Sequence, residues 1–170
     1  MLWKNGEPTV QSFIWGRALA VEVINNDVYV AGFGKNVTTN KNEAKFWKNG
    51  IETILINNGT NATVASDIKV VNNDVYVLIN ETVGLNNTIK VWKNGNIISI
   101  TNNLRTYGNA FAINGNDIYV VGYEYLNNDK YGRIWKNTQV TALDKGEAKD
   151  IQIVNNDVYV VGYEINTNGT

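Results

Sequence analysis

The stretch Asn155-Asn156-Asp157-Val158-Tyr159-Val160-Val161-Gly162-Tyr163-Glu164 decides the fold, because its core pentapeptide is one of four copies. The others are Asn26-Asp27-Val28-Tyr29-Val30, Asn73 to Val77, and Asn116 to Val120 with Ile118 in place of Val. A second motif alternates with the first: Trp3-Lys4-Asn5-Gly6, Trp47 to Gly50, Trp92 to Gly95, and Trp135-Lys136-Asn137 with Thr138 where the others have Gly. Successive Trp residues are 44, 45 and 43 positions apart and successive Asp residues 47, 43 and 40, so one unit of about 43 residues is present four times.

Each unit reads as two tight hairpins. Apolar residues six and four places before each Asp (Val21 and Val23, Ile68 and Val70, Phe111 and Ile113, Ile151 and Ile153) predict a first strand. It ends in the dipeptides at 25–26, 72–73, 115–116 and 155–156, Asn-Asn or Gly-Asn, which tolerate the positive φ of a two-residue primed turn. Val-Tyr-Val returns as a second strand, the third closes on Trp-Lys, and Asn-Gly turns it into a fourth. Ala18, Ala65, Gly108 and Ala148, nine places before each Asp, suit a crowded innermost strand. Four short strands per unit at this period are the signature of a β-propeller blade. Apolar residues on both faces of the second strand fit sheets packed face to face. The expectation is an all-β propeller of four repeats with four antiparallel strands each. In that topology one rim carries the short turns. The other is expected to carry longer connections: Lys35 to Glu43, Glu81 to Thr88, Tyr125 to Tyr131, Ser12 to Arg17, Asn57 to Thr63, Thr101 to Tyr107 and Asp144 to Glu147.

The sequence starts at a third strand and stops after a second. From Asp to the following Trp takes 20, 18 and 18 residues inside the chain and 16 across joined ends, so residues 1–11 and 146–170 are expected to share one blade of a single domain spanning 1–170. This velcro closure is satisfied within one chain, by a homodimer completing an eight-bladed ring, or within a longer array; the strong curvature of a four-bladed ring favours the dimer.

Composition narrows the chemistry. With 44% hydrophobic residues the chain falls in the globular class. Fifteen Lys and Arg against sixteen Asp and Glu give a net charge of -1, which offers no grip on nucleic acid or an anionic membrane. There is no Cys and no His, which removes disulfides, thiolate nucleophiles, imidazole bases and the usual zinc and haem ligands, and no cofactor or metal is expected. No apolar run approaches the roughly 20 residues of a membrane helix, and the first residues read as neither a signal nor a transit peptide.

The segments Phe46-Trp47-Lys48-Asn49-Gly50 and Asn155 to Glu164 resemble those of bacterial β-propeller proteins built from amplified, nearly interchangeable blades. The resemblance spans the chain and implies the fold; it implies no particular activity, because propellers host lectins, scaffolds and hydrolases alike. Leu78-Ile79-Asn80 departs from the Gly-aromatic pair of the other copies, as Thr138 departs from the turn Gly.

The repeated Trp and Tyr read as packing residues, and Asp27, Asp74, Asp117 and Asp157 as partners of turn amides rather than metal ligands. Two of Glu81, Glu124 and Glu164 would supply the acid pair of a glycoside hydrolase or lyase, but their regular recurrence argues for a structural place. Residues that break the repeat are the better site candidates. Trp15 and Arg17, Arg105 and Tyr107, and Lys145 and Glu147 enter successive innermost strands and are expected to ring the axial opening, where an aromatic face beside charge holds a carbohydrate or a peptide side chain. The sequence reading is a non-enzymatic binding or scaffolding propeller. Its alternatives are a purely structural fragment that self-assembles, and a polysaccharide hydrolase or lyase.

Overall fold

The computed structural model describes residues 2–9, 16–56, 59–102 and 105–165. They form antiparallel strands and, among the described residues, no helix. A hairpin of β1 (Leu2–Lys4) and β2 (Glu7–Thr9) comes first, as a two-stranded sheet. The first full meander is β3 (Gly16–Ile24), β4 (Asp27–Lys35), β5 (Asn42–Lys48) and β6 (Ile51–Ile54). The second is β7 (Ala62–Val71), β8 (Asp74–Val83), β9 (Asn86–Lys93) and β10 (Asn96–Ser99). The third runs through β11 (Thr106–Asn114), β12 (Asp117–Leu126), β13 (Asp129–Lys136) and the start of β14 (Gln139–Val154), which continues unbroken and pairs from Gly146 onward with β15 (Asp157–Glu164).

The hairpin chemistry is where the side chains put it. Asn25-Asn26, Asn72-Asn73 and Asn155-Asn156 carry positive φ at both positions, while Gly115 alone does so in its turn, the pattern of a Gly-first primed turn. Asn5-Gly6, Asn49-Gly50 and Asn94-Gly95 are likewise doubly positive. Thr138 cannot join Asn137 there because a β-branched residue is excluded from that region, yet Lys136 still pairs with Gln139 and the hairpin closes.

Three of the connections expected to be long are not. Glu81 to Thr88 is strand around a two-residue turn at Gly84-Leu85, with Val83 paired to Asn86. Tyr125 to Tyr131 turns at Asn127-Asn128, both at positive φ, with Leu126 paired to Asp129. Asp144 to Glu147 lies inside β14. Lys35 to Glu43 is a true loop, folded by the Asn36 side-chain oxygen, which accepts from the N–H groups of Thr38 and Thr39 at 3.0 Å each. The expected connections Ser12 to Arg17, Asn57 to Thr63 and Thr101 to Tyr107 lie in part outside the described residues.

Each first strand carries a β-bulge. Leu19, Ser66, Asn109 and Lys149 are the extra residues, lying between Ala18 and Ala20, Ala65 and Asp67, Gly108 and Ala110, and Ala148 and Asp150. Gly122 shows why a glycine faces the bulge, since a Cβ there would collide with the Tyr107 carbonyl oxygen.

Consecutive meanders pack face to face. Tyr29, Ala31 and Phe46 of the first meet Ala65, Ile68, Val77 and Ile79 of the second, with Trp92 against Phe46 at 5.4 Å between ring centres. Tyr76, Leu78, Ile89 and Val91 of the second meet Phe111, Ile118, Val120 and Trp135 of the third. Ala110 and Val121 of the third meet Ala148 and Ile151 on β14, with Tyr119 and Val160 at the margin. Each buried side chain of this size contributes roughly 1.5–3 kcal/mol, so the junctions, not the marginal hairpins, hold the fold. The repeated aromatics are thus packing residues wherever a neighbouring meander exists.

A polar clamp recurs on the surface. Asp27, Asp74 and Asp117 accept from the amides of Asn49, Asn94 and Asn137 at 2.7, 2.7 and 3.0 Å and pair with Lys48, Lys93 and Lys136. The carboxylates thus reach the turn of the following hairpin rather than their own. The Lys and then the Asn partners hold these carboxyls below the usual range. Each Lys also lies over Tyr29, Tyr76 or Tyr119, at 5.1, 4.9 and 5.3 Å. Each Asn oxygen extends the ladder by accepting from the N–H of Val28, Val75 or Ile118.

Among the described residues no strand pairing joins 1–11 to 146–170 within the chain: β1 is in a sheet with β2 alone, and β15 pairs with β14. β14 packs on β11 and β12, whereas Leu2 and Trp3 border β3 and β4.

Candidate functional site

The bulges place polar side chains at the end of the meanders opposite the Asn-Asn turns. One residue on, in the pairing that leads into each bulge, stand Arg17 opposite Phe33, Val64 opposite Asn80, Tyr107 opposite Tyr123, and Glu147 opposite Tyr163. These four pairs are equivalent by position and different in chemistry, so this end is where the repeat units diverge.

The third and fourth pairs build one cluster. Tyr107 stacks on Tyr123 with centres 5.6 Å apart and planes 8° from parallel, as cross-strand neighbours do, and Tyr125 meets Tyr123 edge-on at 5.4 Å. Arg105 lies 4.8 Å over the Tyr125 ring and donates to the Asn128 side-chain oxygen at 3.2 Å. Lys130 sits 4.0 Å over Tyr123 and pairs with Glu147 at 3.0 Å. Burial pushes the Tyr123 phenol up to about 12, although Lys130 opposes it.

Glu147 is buried and its oxygens are fully engaged. The Asn109 amide donates at 2.9 Å, the Tyr163 hydroxyl at 3.1 Å and Lys149 at 2.6 Å, besides Lys130. Burial works against its charge, but the hydrogen bonds from Lys149, Lys130 and Asn109 outweigh it and hold the carboxyl at about 2. It is a fixed anion, unsuited to giving up or taking a proton near neutrality. For Lys130 burial also opposes charge, and Glu147 with the phenol rings outweighs it, so the ammonium is held.

Of the expected site residues, Arg105, Tyr107 and Glu147 are brought together through Lys130 and the tyrosines. Lys145 instead pairs with Asp129 at 2.8 Å, across the strand from Tyr131. Arg17 is exposed on β3, and no contact among the described residues joins it to the cluster. Trp15 lies outside the described residues. The recurrent glutamates Glu81 and Glu124 are ion-paired, with Lys90 and, at 3.0 Å, with Arg133.

Three participants escaped the sequence reading: Lys130, Asn109 and Asn80. Asn109, an extra residue of a bulge, donates to the Ala148 carbonyl at 2.7 Å and so stitches two units. Asn80 does the same with both ends of its amide, donating to the Gly108 carbonyl and accepting from the Gly108 N–H, each at 2.8 Å. Its place in the otherwise regular Gly-aromatic pair was the available signal. Asp67, one place after a bulge, accepts from the N–H of Phe111 at 3.2 Å, and burial raises its carboxyl despite Lys69. Among the described residues no three His, Cys, Asp or Glu side chains converge to hold a metal ion.

No family model and no curated protein matches the chain. Among solved structures, the crystal structure of the computationally designed Ika4 protein is similar over 93% of this chain and 96% of that one, with 16% identity and a TM-score of 0.46.

Proposed function

We propose that the chain is a β-propeller of four repeat units that works as a non-enzymatic binding or scaffolding module, its ligand a carbohydrate or peptide at the end of the meanders where the repeat breaks down. What carries the reading is the half-buried pair Tyr107 and Tyr125 beside the exposed Arg105, fixed in place by the buried Tyr123 ring between Tyr107 and Lys130. Aromatic faces beside fixed charge suit the apolar face and hydroxyls of a sugar ring, or an aromatic or acidic peptide side chain. The engaged state of Glu147 supports positioning over proton transfer. The propeller reading itself is supported by face-to-face packing of successive four-stranded meanders and by the equivalence of their bulges, turns and clamps.

The test is binding to a glycan and peptide panel by the intact chain, by Arg105→Ala and by Tyr125→Phe. Arg105 is exposed, so its removal is expected to leave the melting temperature unchanged and to cut binding at least about tenfold. Tyr125→Phe keeps the ring and separates stacking from hydroxyl contacts. Binding that ignores Arg105→Ala overturns the site. Turnover of a polysaccharide that disappears in Asp67→Asn overturns the non-enzymatic reading, since Asp67 is the described carboxyl whose pKa is raised.

A further inference from the structure

The polar clamp exists three times complete and a fourth time in two pieces. Asp157 and Tyr159 on β15 hold the places of Asp27 and Tyr29, while Lys4 at the end of β1 and Asn5 after it hold the places of Lys48 and Asn49. In the complete units, strand pairing sets Tyr29, Tyr76 and Tyr119 opposite Lys48, Lys93 and Lys136, and Val30, Val77 and Val120 opposite Trp47, Trp92 and Trp135. Here the pieces are apart: Asp157, Lys4 and Asn5 are exposed, Tyr159 is 58% exposed and Trp3 60%.

The apolar faces on either side are split in the same way. Val161, 63% exposed on β15, stands where Leu78 and Val121 are wholly buried against the next meander. Val21, 52% exposed on β3, stands where Ile68 and Phe111 are buried to 1% and 0% by the meander before. Beside β15 an open groove of about 670 Å³ is lined by Gly132, Leu143, Ala148, Val160 and Tyr163. In the complete units the third strand, with its Trp packed inward, fills the equivalent space next to the second strand.

We propose that this groove is the docking site for the β1–β2 hairpin of a second copy of this chain, and that two copies exchange these hairpins to close one ring around a two-fold axis. The occupant follows from continuity with the junctions already formed. The register carries over as Tyr159 opposite Lys4, Val160 opposite Trp3 and Val161 opposite Leu2, with Asp157 receiving Lys4 and Asn5. Exchange is reciprocal, so two identical junctions form. The chain's own hairpin borders β3 and β4 and does not line the groove, and a ring of two copies asks each junction to turn about 45° instead of about 90°. The inference rests on the ring reading proposed above and adds the partner and the register.

Because the chain has no Cys, Leu2→Cys and Val161→Cys each introduce a single thiol. Directly opposed residues on antiparallel strands lie within disulfide reach. The two variants, mixed in denaturant, refolded together and mildly oxidised, are expected to give a covalent heterodimer that neither gives alone. A double variant that seals within one chain, with no heterodimer from the mixture, overturns the second copy and leaves the ring standing. No disulfide in either case overturns both the junction and the ring. Val161→Lys guards against misfolding as an explanation: exposed in the single chain, it is expected to keep the far-ultraviolet spectrum and to weaken self-association at least about 100-fold, because the junction would bury an unpaired charge. Unchanged association in that variant contradicts the proposal.

Discussion

The interior junctions and the two ends are built from one repeated sequence and have opposite surroundings. Tyr29 and Tyr76 are 6% and 7% exposed, while Tyr159, in the same place of the same pentapeptide, stands mostly in solvent. The difference lies in whether a neighbouring meander covers the residue. Burial here belongs to the junction between units and not to the unit, as in other repeat proteins where nearest-neighbour interfaces supply the stability. A large exposed apolar face rimmed by polar groups is in turn a place where something binds.

The sharpest way to break this comparison is to truncate equivalent residues. Phe111→Ala, at the centre of a formed junction, is expected to cost about 3–5 kcal/mol in urea unfolding. Val21→Ala is expected to cost under about 1 kcal/mol in dilute solution, with the cost growing as protein concentration rises. Equal costs at all concentrations would mean that the ends are not different from the interior. Next in size is Asn80→Ala, which orphans the buried N–H of Gly108 and leaves its carbonyl only the Ser66 hydroxyl at 3.3 Å, and is expected to cost about 2–3 kcal/mol, with Asn80→Gln failing to rescue because the longer amide misses both groups.

A smaller effect concerns acid. The Glu147 carboxyl lies lower in the folded chain than in the unfolded one, so its contribution is present above about 4.5 and is lost as pH falls towards about 2. Glu147→Gln is expected to flatten that part of the decline in unfolding titrations between pH 5 and pH 2.5. Asp27, Asp74 and Asp117 act in the same direction and keep the remainder of the slope. The smallest change is expected from Asp74→Ala, whose clamp with Lys93 and Asn94 is at the surface; its melting shift should shrink further in high salt, and a shift as large as that of Asn80→Ala would show the clamp to be more than trim.

Much of this was legible in the residues. Asn25-Asn26 and Asn49-Gly50 declare their turns because few other residues accept positive φ, and the spacing between them sets the strand lengths. Asn127-Asn128 carried the same signal, yet it stands outside the pentapeptide and reads as part of a loop. The bulges at Leu19, Ser66, Asn109 and Lys149 left only a small trace, the three-residue step from Ala65 to Ile68 and from Ala148 to Ile151, which breaks a period of two but reads equally as the entrance to the strand. At the site, the divergence of Arg17, Tyr107 and Glu147 was visible as departures from the repeat. Their partners were not: Lys130 meets Glu147 only because two units pack at a given offset, and Asn80 bonds backbone groups that every residue possesses.

The most direct measurement is the absolute mass of the eluting protein by light scattering across a dilution series. A species at twice the 18.9 kDa chain mass is expected, giving way to the single chain on dilution or on Val161→Lys substitution. A mass of 18.9 kDa at every concentration, with Tyr159 and Trp3 protected from solvent, would show that the ends meet within one chain and would contradict the exchange of hairpins.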